Sequence, residues 1–368
     1  MVQSHRVEIK GYASGGEGVA KLEDGKAVFI RGAARGDVLD VGLTQQKPRS
    51  ARAEILRVIK PSPYRVTPDC PAYPKCGGCD FRHITYEEEL RAKLSRLNDA
   101  LRRIGGLSAN SVDNIISTGQ INGYRNKAVF HSNGTKYGFY EHRSRKVVAI
   151  DRCLLLKDDI NETIKSLTQL GDITVRSGKN GLSSPLEEEL DGLVFKISGF
   201  FQVNTGAALL LYQQARKYAA MSRGEILLDL YCGVGSMTIF VGRDAGHALG
   251  VELNPEAIEA ARENAGRNGF THIDFIAADV SKWESSIKKA DCIIADPPRS
   301  GLLPTAVKKI VQLAPRRIVY ISCDPATMAR DLRVFGECNY RVKEICAVDM
   351  FPRTANVECC CLLEKADV

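Results

Sequence analysis

The chain has 368 residues, 44% of them hydrophobic, with a formal net charge of +7. That apolar content is enough for two or three domains with cores of their own, and no apolar run approaches the length of a membrane span. The opening MVQSHRVEIKGYA lacks the apolar core of a secretory signal, so a cytoplasmic location is expected, where the twelve cysteines are poor candidates for a disulfide framework. The basic excess lies mostly in the N-terminal and middle segments and points to a polyanionic partner.

Residues 2–60 alternate apolar and polar residues in short runs, VEIKGYA, GVAKLEDGKAVFI, DVLDVGL and RAEILRVIK, parted by Gly and Asp-Gly turn signals. This spacing predicts a small antiparallel β-barrel or sandwich. Its edges and loops carry Lys10, Lys21, Lys26, Arg31, Arg35, Lys47, Arg49, Arg52 and Arg57. The pattern resembles a TRAM domain, an RNA-binding barrel of the OB type, a kind that takes oligonucleotides in a basic groove.

A Pro-rich linker (Pro61, Pro63, Pro68) leads to Cys70, Cys76 and Cys79. Three thiols so close, with Gly77-Gly78 between the last two, suggest a metal site more than packing. Cys153 is the candidate fourth ligand, because no other cysteine precedes Cys232. Four cysteines suit structural zinc or an iron–sulfur cluster, and spacing leaves both open. TYEEELRAKLSRLNDALRRI then reads as a helix, and residues 124–148 as two basic, aromatic-bearing strands joined at Asn133-Gly134 that would hold RNA phosphates.

From residue 225 strand-like and helix-like segments alternate, which predicts a doubly wound α/β domain. EILLDLYCGVGSMTIFV gives a strand, a Gly-X-Gly loop at Gly233 and Gly235, and a helix. A second strand ends at Glu252 and a third at Asp279. An acid closing the second strand suits the ribose of NAD or of S-adenosylmethionine. Thr238 stands where a dinucleotide loop places its third glycine, which favours S-adenosylmethionine over NAD. Two further strand ends carry Asp296-Pro297-Pro298-Arg299 and Cys323. Ligands bind outside such strand ends, so Cys323 is a candidate nucleophile, with a helix capped by Asp324 and Pro325 to favour its thiolate. The other C-terminal cysteines read as packing.

In this order FQVN (201–204), LDLYCGVGS (228–236), GVELNPEAI (250–258), DPPRSGL (296–302), YISCDP (320–325) and FPRTANVE (351–358) resemble the RNA uracil-C5 methyltransferases, which make 5-methyluridine. The cysteine quartet and barrel are similar to its ribosomal-RNA branch. The resemblance implies a Rossmann-like S-adenosylmethionine-dependent catalytic domain over residues 201–368, a TRAM-like barrel over 1–60, and a central α+β domain over 61–200. In that central domain Cys70, Cys76, Cys79 and Cys153 hold a [4Fe–4S] cluster. It further implies that Gln202, Tyr231, Glu252 and Asp296 contact S-adenosylmethionine with Ser236 and Asp279 nearby, that Cys323 is the nucleophile and that Glu358 is the general base. The expected substrate is RNA, 23S ribosomal RNA ahead of transfer RNA, and the expected state a monomer with no membrane contact.

The chemistry agrees: uracil C5 is a poor nucleophile until a thiolate adds to C6, and the target base must leave its stack to be reached. Two departures stand out. Asn356 replaces the family's usual His, and the stretch between Cys153 and Gln202 is short. A non-catalytic RNA-binding or assembly factor and an NAD-linked oxidoreductase with an iron–sulfur centre are the rival classes.

Overall fold

The computed structural model describes residues 4–108, 111–168, 171–283 and 287–366; the extreme ends of the first and last predicted units, residues 1–3 and 367–368, lie outside them. Six strands open the chain: β1 (Ser4–Glu8), β2 (Gly11–Tyr12), β3 (Gly18–Lys21), β4 (Ala27–Ile30), β5 (Val38–Gln46) and β6 (Ser50–Lys60). They form one sheet in the order β1-β5-β6-β4-β3-β2. Because β1 and β2 are consecutive in the chain yet stand at opposite ends of that order, the sheet curls round to meet itself, as a barrel must. Its alternating inward residues, Val7, Ile9, Val28, Ile30, Leu39 and Val41, form a separate core.

Helix α1 (Tyr86–Arg103) begins at Thr85, whose side chain accepts from Glu88 N–H, a cap of the kind that adds about 1 kcal/mol. After β7 (Ile115–Ile116) come β8 (Lys127–Ser132), β9 (Tyr137–Tyr140), β10 (Val147–Ala149), α2 (Asp158–Ile164) and β11 (Ile173–Arg176). The turn at Asn133-Gly134 joins β8 to β9 as the sequence suggests, while β10 and β11 complete an antiparallel sheet in the order β10-β9-β8-β11. Phe130, Tyr137, Leu156 and Ile160 pack inside it. The hairpin of β12 (Glu187–Leu190) and β13 (Leu193–Lys196) follows.

The remaining elements are α3 (Thr205–Ala219), β14 (Ile226–Leu230), α4 (Ser236–Gly242), β15 (His247–Glu252), α5 (Pro255–Arg267), β16 (Ile273–Ala277), β17 (Cys292–Ala295), α6 (Pro304–Gln312), β18 (Arg317–Ser322), α7 (Pro325–Glu337), β19 (Tyr340–Val348) and β20 (Glu358–Lys365). They build an eight-stranded sheet in the order β16-β15-β14-β17-β18-β20-β19-β7. All neighbouring strands run parallel except β20, which is antiparallel to both β18 and β19. Apolar clusters cover both faces, which explains why these strands read as near-continuous apolar runs. The order reverses between β14 and β17, the switch point at which such sheets bind ligands.

Three pieces that precede residue 201 are built into these layers. Leu97 and Leu101 of α1 pack in the core with Met328, Ala329 and Leu332 of α7, and β7 extends the sheet edge beside β19. The β12–β13 hairpin lies on α5, where Asn264 accepts from Lys196 N–H at 2.7 Å and Asn268 from Val194 N–H at 3.0 Å.

Candidate active site

β14 delivers Asp229 to a buried position and then breaks into the Gly loop. Tyr231 takes φ 67 and Gly235 φ 77. A Cβ at Gly235 would come within 2.9 Å of Phe275 and Ala261, so glycine is needed there for close packing as well as for its backbone. Thr238, the residue that breaks the dinucleotide pattern, donates its hydroxyl to Asp229 at 2.6 Å. The third glycine is therefore replaced by a residue that fastens helix α4 to β14.

A narrow slot of about 40 Å³ is lined by Gln202, Tyr231, Ser236 and Asp296, together with Phe200, Tyr212 and Asp229. Ser236 and Tyr212 share a hydrogen bond of 2.8 Å. Glu252 closes β15 and does not line the slot: one carboxylate oxygen accepts from Gly233 N–H at 3.3 Å and the other from Asn254 N–H at 2.9 Å, so it braces the Gly loop. Asp279 lies two residues past the end of β16, not on the strand as expected, because the strand stops at Ala277; there it accepts from the N–H and hydroxyl of Ser281. Burial pushes Asp229 up to about 7 and Asp296 up to about 6, leaving two acids in the slot that a cationic ligand would help to ionise.

Cys323 and Glu358 approach through the antiparallel strand. β18 pairs with β20 so that Ser322 faces Cys359. Continuing this register sets Cys323, the residue after β18, opposite Glu358, the first residue of β20. Chain order alone could not reveal that pairing. Asp324 caps α7, accepting from Ala326 and Thr327 N–H at 2.9 Å each, as its sequence position suggested. Glu358 is only 4% exposed, and burial followed by the nearby Asp296 carboxylate raises its carboxyl well above the usual range, with Arg299 opposing. The Cys323 thiol is pushed up by burial and by Glu358 and drawn down by Arg299, which reaches it. The cation favouring the thiolate is thus Arg299, whose position beside Cys323 chain order does not reveal. Its loop is held by Asp331 of α7, which accepts from Leu302 N–H at 2.8 Å and from Tyr320 at 2.7 Å.

The four N-terminal cysteines Cys70, Cys76, Cys79 and Cys153 line one cavity of about 430 Å³ between the linker loop and the central sheet. Sulfur is met by donors: Gly78 N–H points at Cys76 Sγ at 3.4 Å, and Arg82 Nε at Cys79 Sγ at the same distance. Burial pushes Cys79 up to about 12 and raises Cys76 and Cys153. Among the described residues no three His, Cys, Asp or Glu side chains are gathered closely enough to hold a single ion. Gly77 serves the fold here, since a Cβ would lie 2.9 Å from Tyr140 O.

Much of the predicted RNA-binding charge is spent inside the molecule. Arg31 donates to the carbonyls of Cys76 and Cys79 at 3.0 and 2.9 Å, and Arg35 pairs with Glu88 at 2.8 Å. Arg52 pairs with Glu17 and Arg57 with Asp40. These contacts dock the barrel or brace it; among the described residues no ion pair engages Lys21, Lys47 or Arg49. His131 and Tyr140 stack at 3.7 Å on the central sheet.

Residues 286–366 match the tRNA (uracil-5-)-methyltransferase family model, residues 2–56 the TRAM domain and residues 227–313 a methyltransferase domain. An uncharacterized RNA methyltransferase of Halalkalibacterium halodurans is 31% identical, over 97% of this chain and 96% of its own length; one from Clostridium tetani is 30% identical, over 96% and 95%. The alignment with the first runs over 441 positions, more than this chain's 368 residues, so that relative carries segments this chain lacks. The crystal structure of Pyrococcus abyssi tRNA (uracil-54, C5)-methyltransferase in complex with S-adenosyl-L-homocysteine superposes with a TM-score of 0.77 at 26% identity, over 97% of this chain and all of that one. The chain belongs to the S-adenosylmethionine-dependent RNA (uracil-5-)-methyltransferase family. No helix among the described residues is long and apolar enough to cross a membrane.

Proposed function

We propose that this protein methylates C5 of a uridine in RNA through a covalent Cys323 adduct. The observation that carries the reading is the β18–β20 register, which sets Cys323 and Glu358 against each other beside the slot holding Asp296. Cys323, as the thiolate favoured by Arg299, attacks C6 and forms an S–C6 bond while the C5=C6 electrons move to the O4 enolate. S-adenosylmethionine, bound in the slot by Gln202, Tyr231 and Asp296 beside Ser236, with Glu252 bracing the Gly loop and Asp279 beyond the next strand end, supplies the methyl group. C5 bonds to that methyl carbon and S-adenosylhomocysteine departs with the electrons of the broken C–S bond. Glu358 then takes the C5 proton, the C5=C6 bond re-forms, and the S–C6 bond breaks to return the thiolate. General-base assistance of this kind contributes about 10²–10⁴-fold.

Cys70, Cys76, Cys79 and Cys153 are the residues that would hold a [4Fe–4S] cluster, supported by the shared cavity and its donors to sulfur. Bound there, a cluster would tie the linker loop to the central sheet. The substrate reading is large-subunit ribosomal RNA, from the quartet and barrel. Transfer RNA is the second reading, favoured by the fit to the whole Pyrococcus abyssi tRNA (uracil-54, C5)-methyltransferase.

Purified protein incubated with S-adenosylmethionine and with ribosomal or transfer RNA transcripts tests this directly. Nucleoside mass spectrometry is expected to find 5-methyluridine in one of the two. A protein that binds both RNAs yet produces none would instead be the non-catalytic RNA-binding factor.

A further inference from the structure

Glu358 is aimed by backbone. It opens β20, so its approach is set by the segment that leads into the strand, residues 349–357. That segment is gripped by side chains distant in sequence. Lys93 of α1, fully buried with Glu89 and Asp349, donates to Phe351 O at 3.1 Å, and Tyr124 donates to Pro352 O at 2.9 Å. Asn204 Nδ2 donates to Met350 O at 3.2 Å.

The most symmetrical grip is on Ala355, three residues before Glu358. Its N–H donates to Asp80 Oδ2 at 2.9 Å, and its carbonyl accepts from Arg96 at 2.8 Å. Asp80 is anchored in turn: its N–H donates to Arg353 O at 2.8 Å, and its carboxylate faces Arg31 of the barrel at 3.5 Å. Arg96 also faces the Asp324 carboxylate at 3.8 Å, the cap residue next to Cys323. One guanidinium therefore spans the loop of the nucleophile and the loop of the base. Arg353, between the two grips on this segment, takes φ 69, a conformation that persists where surroundings enforce it.

We infer that Asp80 and Arg96 are positioning residues for the proton-abstraction step, clamping Ala355 from both sides so that Glu358 stays aligned with C5 of the adduct. This rests on the proposed roles of Cys323 and Glu358. Because methyl transfer needs Cys323 and the cofactor slot but not Glu358, loosening the clamp slows release of the adduct more than its formation. A small misplacement of a catalytic group costs on the order of a hundredfold in rate.

The test uses the full chain with ordinary uridine RNA and S-adenosylmethionine, comparing wild type with Asp80→Ala, Arg96→Ala, Asp80→Asn and Arg96→Lys. In Asp80→Ala and Arg96→Ala, turnover is expected to fall about tenfold to a hundredfold, with kcat/KM for RNA and for S-adenosylmethionine within about twofold of wild type, because adduct formation is unimpaired. A methylated protein–RNA adduct, visible on a denaturing gel, accumulates. Asp80→Asn keeps an oxygen for Ala355 N–H and Arg96→Lys keeps a donor, so both restore release. Variants that lose turnover without accumulating adduct, or that turn over at the wild-type rate, overturn the clamp. Where one Ala variant does not fold, the other reads the same step. A wild type that makes no 5-methyluridine overturns the proposed function itself; an active wild type with variants that stop before the adduct overturns the clamp alone.

Discussion

Two groups of four cysteines show how differently the same side chain is used within one chain. Cys346, Cys359, Cys360 and Cys361 sit on paired strands, Cys346 directly across from Cys360, and are buried to 8% exposure or less. Their neighbours are apolar side chains of the sheet core. Burial raises the Cys359, Cys360 and Cys361 thiols, and only Cys346 is drawn down, by its contact with Cys360. Cys70, Cys76, Cys79 and Cys153 instead come from loops, surround a cavity of about 430 Å³ and meet backbone and guanidinium donors. Density of thiols in sequence does not separate the two groups, since Cys359-Cys360-Cys361 is the denser. What separates them is whether period-two strand geometry sends the side chains into packed layers or loop geometry turns them toward shared space. Cys323 belongs to neither group: it ends a strand, half-buried, with Arg299 beside it.

The sharpest way to break this comparison is to replace one cysteine from each setting. Cys323→Ala is expected to lower 5-methyluridine formation by about a thousandfold or more, the scale of losing an essential nucleophile, whereas Cys361→Ala leaves it within about twofold. Equal losses would mean that the strand-end setting carries no special chemistry. Next in size, Cys79→Ala is expected to remove most of the iron from protein purified without oxygen, about four atoms per chain for a [4Fe–4S] cluster, while Cys360→Ala leaves it unchanged. Metal analysis reads both, and zinc in place of iron corrects the identity of the group without moving the site.

A pH profile sharpens the third setting. Cys323 and Glu358 both have raised pKa values and both act deprotonated, so kcat is expected to keep rising with pH above neutrality. Arg299 lowers both, so Arg299→Gln shifts that rise to higher pH. A profile that stays in place would remove Arg299 from the pair's surroundings. The smallest effect is on stability: Cys360→Ala deletes a fully buried sulfur and should cost about 1–2 kcal/mol, read by denaturant unfolding.

Local signals carried well into the structure. Thr85 and Asp324 cap their helices, Pro255 opens α5, and the alternating runs of the first 60 residues form the six-stranded sheet. Each depends on residues within one turn or one strand. The pairings that build the site are non-local and left no such mark. Nothing around residue 358 announces that β20 inserts between β18 and β19, because antiparallel register is set by packing between segments far apart in the chain. The attachment of α1 and β7 to the C-terminal layers was hidden for the same reason. Thr238 stands out in sequence for the glycine it replaces, but its bond to Asp229 depends on the fold. Arg31 and Arg35 looked like RNA contacts because sequence shows a charge without its partner. Asn356 is half-buried, and its N–H donates to Thr354 at 3.3 Å; nothing in the structure gives its side chain the role of the His it replaces.

The most direct measurement of the covalent route is mass spectrometry of protein incubated with S-adenosylmethionine and RNA carrying 5-fluorouridine. Fluorine at C5 leaves no proton for Glu358 to remove, so the adduct should persist after denaturation. A methylated fluorouridine is expected on the tryptic peptide containing Cys323, and none in Cys323→Ala. An adduct on another cysteine, or 5-methyluridine made from ordinary RNA with no trapped species from the fluorinated one, would contradict the assignment of Cys323.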